Sequence, residues 1–380
     1  MPTIFWLAGE NSGDMHASMV IKQLNIKSPE LKHIGVGGYH MQNNGLKTLF
    51  PFKRFNVMGF AEVVKHLGFF SKVEKTIKDL FINDRPDLVV LVDYPGLNLR
   101  IARMAYELDI PVFYYICPQF WAWKHHRVNQ LAEYCRYVAC ILPFEPDLLH
   151  IHRVNADYVG SPIIEEIGHI DSKEAFAKNN NLDLNKKWIS FFPGSRINEV
   201  KKLLPVYIKS INLLSDKDNI FIISRSPSFS EQLFLEIITA NTQNPDKIKV
   251  ICGNNYEMMS HSDFLVIKSG TSTLESAYIG NPFIICYKAN PLSYLIGKKI
   301  VKIKYIGLPN ILLDKMVVPE LIQHEVNAQN ISSIINEALI NPDKYQKARN
   351  DLKEVREILG SKSASHTVSD KILEFLGLTK

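Results

Sequence analysis

Three stretches of the sequence combine residue types and spacing that could do chemistry. The apolar run Leu88 to Val92 leads straight into Asp93-Tyr94-Pro95-Gly96. A carboxylate at the end of a buried strand is partly desolvated, which raises its pKa toward the range of a general base. The competing reading is an ordinary capping aspartate. Pro193-Gly194-Ser195-Arg196 sets a guanidinium beside a helix start, and Ser269-Gly270-Thr271-Ser272-Thr273-Leu274-Glu275 repeats the small-residue pattern after the apolar run Phe264 to Lys268. Two such turns can cradle a pyrophosphate. Amides and hydroxyls would surround its oxygens, Arg196 would neutralise charge and Glu275 would grip ribose hydroxyls. Either turn alone could be a plain cap, but their joint occurrence favours binding.

A third glycine turn, Gly9-Glu10-Asn11-Ser12-Gly13-Asp14, follows the run Ile4 to Ala8. It lacks the Gly-Lys-Ser/Thr of a phosphate-binding loop and the G-x-G-x-x-G of a dinucleotide site. Two readings stand at this point: a small-residue site for an anion or sugar hydroxyl, and a tight turn with Ser12 or Asp14 capping a helix. Trp121 and Trp123 could stack on a sugar or base, or wedge the core. The histidines at 125, 126, 150 and 152 lack a zinc-type companion set, so no metal ligand is assigned. No serine lies in G-x-S-x-G, which leaves a serine triad unsupported.

Apolar runs of about five residues alternate with helix-length segments throughout: after Ile4 to Ala8 and Leu88 to Val92 come Val112 to Ile116, Val138 to Leu142, Ile189 to Phe192, Ile220 to Ser224, Lys249 to Cys252, Phe264 to Lys268 and Phe283 to Tyr287. Continuous runs of this kind read as strands covered on both faces, so the expected class is α/β with parallel sheets. Each half restarts with a strand, a glycine turn and a helix, and the Asn-rich stretch near 179–185 marks a seam. We expect two Rossmann-like domains facing a cleft, at residues 1–172 and 186–345, with a helical segment at 346–380 whose packing is open.

With 46% hydrophobic residues and 22% charged ones in 380, the chain has material for two cores and is not disordered. A net charge of +5, spread along the chain among acids, does not argue for nucleic acid. The five cysteines show no C-x-x-C spacing, which fits a reducing compartment. No basic leader precedes Ile4, so no secretory signal is expected. Two segments mix apolar side chains with a surface character. Phe55 to Lys72 carries Phe60, Val64, Leu67 and Phe70 at near-helical spacing, and Leu292 to Tyr305 interleaves Ile296 and Ile300 with Lys298, Lys299 and Lys302. Such segments suit an anionic membrane surface, although packing on their own domain is the plainer alternative.

The combination of Gly9 to Asp14, Gly35-Val36-Gly37-Gly38 with Met41, Val57-Met58-Gly59, Asp93 to Asn98, Trp121-Ala122-Trp123, Leu142-Pro143-Phe144-Glu145, Pro193 to Arg196, Ser269-Gly270-Thr271 and Leu308-Pro309-Asn310 resembles, in order and over nearly the whole length, the bacterial lipid-A-disaccharide synthases. The resemblance implies an inverting glycosyltransferase of the B-type fold. Such an enzyme moves 2,3-diacylglucosamine from its UDP conjugate, UDP-2,3-diacylglucosamine, to the 6-hydroxyl of 2,3-diacylglucosamine 1-phosphate, known as lipid X. It further implies Asp93 as the essential aspartate, with Glu10 as a second catalytic carboxylate in an acceptor-side loop that includes Asn11, Ser12, Gly13 and Asp14. Gly194, Ser195, Arg196, Gly270, Thr271, Ser272, Glu275 and Asn310 would bind the UDP-sugar. No cofactor is implied, and no D-x-D motif is assigned to hold a metal. The acylated substrates imply a cytoplasmic protein held peripherally at the inner face of the inner membrane, with a homodimer as one open arrangement. Some positions depart from the family pattern: Gly96 replaces a frequent second aspartate, Cys117 and Gln119 commoner serines, and Ser161 a frequent histidine.

Overall fold

The computed structural model describes residues 1–55, 67–122, 125–215, 217–290, 294 and 303–378. Two compact units result, one of Met1–Glu166 with Ser361–Lys380 and the other of Ile167–Gly360. The first holds seven strands: β1 (Thr3–Ala8), β2 (Lys32–Val36), β3 (Lys47–Thr48), β4 (Leu88–Val92), β5 (Val112–Tyr115), β6 (Tyr137–Cys140) and β7 (Ala156–Tyr158). They form one parallel sheet in the order β3-β2-β1-β4-β5-β6-β7. The second unit holds β8 (Lys187–Phe192), β9 (Asn219–Arg225), β10 (Ile248–Cys252), β11 (Phe264–Lys268), β12 (Phe283–Tyr287) and β13 (Glu320–Ile322). These are also all parallel, in the order β10-β9-β8-β11-β12-β13.

All nine apolar runs form strands, because each must cover two faces of a sheet. In the first unit Phe5, Leu7, Val89 and Leu91 face one core with the helices Leu67–Asn83 and Pro95–Tyr106. Their neighbours Ile4, Trp6, Val90 and Val92 face a second core with the helix Asn11–Lys27. In the second unit Ile189, Phe191, Val266 and Ile284 pack on Val200, Leu204 and Tyr207 of the helix Ile197–Ile211. Phe70 belongs to the first of these cores, with ring centroids 5.5 Å from Phe69 and 6.2 Å from Phe55. This corrects its expected place at a membrane surface. Phe60, Val64, Lys298, Lys299 and Lys302 lie outside the described residues, as does the side chain of Leu67.

The division falls upstream of the seam expected at 172–186. The polar stretch after residue 167 belongs to the second unit because it is anchored there. Phe176 packs 6.1 Å from Trp188, the Lys173 ammonium lies 4.6 Å over the Trp188 ring, and the Trp188 indole donates to the Asp183 carbonyl at 2.9 Å. The C-terminal helical segment divides as well. Pro342–Leu359 stays in the second unit, where Arg356 donates to the Tyr278 carbonyl at 2.9 Å. Ala364–Phe375 lies in the first, with Val368 and Ile372 in the core beneath β1 and Lys27 paired to Asp370 at 2.7 Å. Among the described residues no helix is long and apolar enough to cross a membrane.

Candidate active site

Strand order reverses between β1 and β4 in one sheet and between β8 and β11 in the other. The carboxyl ends of strands at such a reversal splay apart and leave a crevice for ligands. Gly9 to Asp14 follows β1, Asp93 follows β4, Pro193 to Arg196 follows β8 and Ser269 to Ser272 follows β11. Each unit therefore carries two of the four sequence motifs at its own switch point.

In the first unit the pairing of Ala8 with Val92 sets Gly9 beside Asp93. Asp93 and Tyr94 both take left-handed backbone angles, with φ of 46° and 47°, at a cost of about 1–2 kcal/mol for each non-glycine residue. Hydrogen bonds impose this turn. The Asp93 amide donates to the Tyr115 carbonyl at 3.0 Å, and the Asp93 carbonyl accepts at 2.7 Å from both the buried Asn98 amide and the Tyr114 hydroxyl. The helix Pro95–Tyr106 then begins with proline, which needs no amide partner there. The Tyr94 ring crosses Gly9 so closely that a Cβ would lie 2.5 Å from its carbons, which explains the glycine.

Partial burial raises the Asp93 carboxyl pKa, against the opposing pull of the Tyr94 amide and the positive charges of His16 and Arg127. A carboxylate with weakened solvation takes up a proton more readily than a free one, which suits a general base. Glu10 stands at the start of the helix Asn11–Lys27, close enough to Tyr94 that its charge helps to raise the phenol pKa after desolvation. Asn11 and Ser12 are exposed on the first turn, and Gly13 is buried against Val92. Asp14 is different: buried, it accepts from the amides of Gly38 at 2.7 Å, His40 at 3.1 Å and Met41 at 3.2 Å. Its carboxylate ties down the loop after β2 and caps the short helix Tyr39–Asn43, so Asp14 is a scaffold residue. This corrects its expected place in an acceptor-side loop.

His16, Arg127 and Glu145, all beside Asp93, were given no site role from sequence. His16 pairs with Glu166 at 2.5 Å, and Arg127 is almost fully buried at the start of Arg127–Tyr134. Glu145 accepts from the Trp121 indole at 3.1 Å and the Leu142 amide at 3.2 Å, and desolvation pushes its carboxyl up to about 8. Trp121 also packs edge-on to Phe144 at 5.2 Å. The only trace of Arg127 in the sequence is its place at the end of a basic run after the two tryptophans.

In the second unit Gly194 needs its φ of 109°, with Glu199 lying where a Cβ would go. Ser195 and Arg196 are exposed at the start of Ile197–Ile211, whose first amides receive no side-chain cap. Glu199 holds two cations near this turn, Lys268 at 2.8 Å and Arg196 more loosely at 3.6 Å. The helix Ser272–Ile279 likewise starts without a side-chain cap; Thr271 is exposed and Ser272, Gly270 and Glu275 are half-buried around it. Two uncapped helix starts and two cations make a field that favours an anion.

Asn310 stands apart from that surface. It is fully buried. Its amide nitrogen donates to the Val318 carbonyl and to Glu320, both at 2.8 Å, and its oxygen accepts from the amides of Val317 and Val318 at 2.9 Å. An amide so engaged has no capacity left for a ligand, which corrects its expected substrate contact. Glu320 also accepts from the amides of Ile306 and Gly307 at 2.9 Å, and Ser269 donates to the Ile306 carbonyl at 3.3 Å. Asn310 and Glu320 thus brace the loop on which the second glycine turn leans.

The model of the lipid-A-disaccharide synthetase family matches residues 4–372. The chain belongs to that family. Curated members called lipid-A-disaccharide synthase include one from Geobacter metallireducens, 35% identical over 98% of this chain and 96% of its own. Another, from Persephonella marina, is 34% identical over 98% and 99%. The family is one of glycosyltransferases. Among solved structures, a UDP-GlcNAc 2-epimerase from Neisseria meningitidis bound to UDP-GlcNAc aligns at a TM-score of 0.66 over 98% of this chain and 99% of its own. At 14% identity that likeness shows the fold, with its two Rossmann-like sheets, and nothing of the reaction.

Proposed function

We propose that this family member transfers a 2,3-diacylglucosaminyl group from UDP-2,3-diacylglucosamine to the 6-hydroxyl of 2,3-diacylglucosamine 1-phosphate, lipid X. The products are a β-1,6-linked disaccharide 1-phosphate and UDP. The observation that carries the reading is Asp93: a strand-end carboxylate at a switch point, partly desolvated, on a strained turn held by Asn98 and Tyr114.

Inversion needs one base. Asp93 takes the proton of the acceptor hydroxyl as its oxygen attacks the anomeric carbon from the face opposite UDP. Charge then builds on the departing diphosphate, where Arg196 and the amides around Gly194, Ser195, Gly270, Thr271 and Ser272 receive it. Lys268, fixed by Glu199, adds a second cation. Glu275 serves the ribose, and Glu10, Asn11 and Ser12 the acceptor sugar. Because both substrates carry acyl chains, the protein works at the inner face of the cytoplasmic membrane. Flotation with anionic vesicles at low salt tests that attachment.

Incubation of the purified protein with UDP-2,3-diacylglucosamine and the monosaccharide 1-phosphate, read by mass spectrometry, tests the reaction. The disaccharide 1-phosphate is expected from the wild type and not from Asp93→Ala or Arg196→Ala. Absence of product from the wild type contradicts the assignment.

A further inference from the structure

We propose that Cys117, Cys140 and Glu145 form a binding site for one soft divalent cation of the zinc class. The three come from adjacent elements of the first unit. Cys117 lies two residues past β5, Cys140 ends β6, and Glu145 opens the helix Glu145–His150. The parallel pairing of Tyr115 with Ala139 sets the ends of β5 and β6 side by side, and Ile116, at a φ of 70°, turns the chain just before Cys117. The two sulfurs and a carboxylate oxygen all lie within 4.8 Å of one another. All three residues are buried, at 3%, 0% and 1% exposure. Cys135 and Cys286 have no comparable companions among the described residues.

Two thiolates and one carboxylate suit zinc or cadmium, whereas magnesium and calcium take oxygen donors. With metal–sulfur bonds of about 2.3 Å and metal–oxygen bonds of about 2.0–2.2 Å, the donors must draw in by about an ångström. Glu145 is already oriented for the task, because Trp121 and Leu142 fix one oxygen each. Outer hydrogen bonds of this kind set the direction of a ligating carboxylate. The Pro118 carbonyl, 3.4 Å from the Cys117 sulfur, stands beside the set as a fourth donor. Trp121 is only partly buried, so the cluster lies one side chain from solvent.

Binding exchanges protons for metal. Each thiol releases its proton to solvent, as does the carboxyl where it carries one. Two metal–sulfur bonds and one metal–oxygen bond form, and nothing is oxidised or reduced. The ion ties the aromatic loop at Trp121 to the ends of two strands, a structural role that leaves the transfer chemistry unchanged.

The test is a titration of the reduced, metal-stripped full-length protein with cadmium. A thiolate-to-cadmium absorption band that saturates at one equivalent is expected, together with one zinc per chain retained after zinc loading and desalting. Cys117→Ser and Cys140→Ser each abolish both signals. Cys140→Ala does the same without placing a hydroxyl in the core, and Cys252→Ser, at an exposed lone thiol, changes neither. Absence of the band in the wild type overturns the proposal, whatever the variants do. So does a band that persists in a folded Cys117→Ser/Cys140→Ala double variant.

Discussion

The hydroxyl of Tyr114 donates a 2.7 Å hydrogen bond to the backbone carbonyl of Asp93. The pairing of Leu91 with Tyr114 in adjacent strands makes this contact possible. It holds a left-handed turn in place without touching the reacting carboxyl. Tyr114→Phe is therefore expected to lower kcat about tenfold, from the loss of a net hydrogen bond of about 1 kcal/mol or somewhat more. KM for the nucleotide donor should stay the same. Steady-state kinetics check this, and an unchanged kcat would show that the clamp is dispensable.

Asn310 makes the opposite kind of prediction. Asn310→Ala removes four hydrogen bonds, takes the partner from the Val317 and Val318 amides and the Val318 carbonyl, and leaves Glu320 with only the Ile306 and Gly307 amides. A loss of about 2–4 kcal/mol of stability is expected, with a raised KM for the donor as the Ser269 loop loosens. Thermal unfolding and donor kinetics on the same sample separate the two effects.

Much of this architecture was readable in the residues, and the exceptions share a cause. The nine apolar runs became strands because parallel strands bury both faces. The strands β2, β3, β7 and β13 escaped notice. They lie toward sheet edges; β3, β7 and β13 have only two or three residues each, and β2 includes His33 and Gly35, so no continuous apolar run marks them. Asp93 stood out by its position after β4. Arg127 and Tyr114 did not, and Glu145 stood in a family motif without a role, because strand register brings them to Asp93 from 21 to 52 residues away in sequence. Asp14 reads as a local cap or a ligand-loop residue, yet its partners lie 24 to 27 residues downstream. Asn310 falls in a family motif for a structural reason that only its four hydrogen bonds reveal.

Arg196 is exposed and only loosely paired with Glu199, so its loss should barely affect folding. Arg196→Ala is expected to reduce kcat/KM by about 10²–10³-fold, the scale of one lost transition-state donor. Since protein groups supply the countercharge to the diphosphate, EDTA should leave turnover unchanged. A strict Mg²⁺ requirement would contradict that assignment.

His33 gives a stability prediction with a definite sign. Buried in the first unit, it accepts from the Trp6 indole at 3.0 Å, which leaves its other nitrogen to donate to Asn25 at 3.1 Å. Desolvation lowers its pKa to about 4 from 6.5. A depressed folded pKa contributes stability above the unfolded value and loses it as pH falls. Roughly 3 kcal/mol should therefore disappear between about pH 6.5 and 4. His33→Gln should flatten that part of the curve of urea midpoint against pH.

The pH dependence of kcat/KM for wild type and Asp93→Asn, measured with both lipid substrates, tests the central claim most directly. The wild type should show an acid limb whose midpoint lies above the ordinary aspartate value of about 3.9, because burial raises this carboxyl. Asp93→Asn should lose the limb and run about 10²–10⁴-fold slower. A folded Asp93→Asn protein that keeps both the limb and the rate would mean that another group takes the proton.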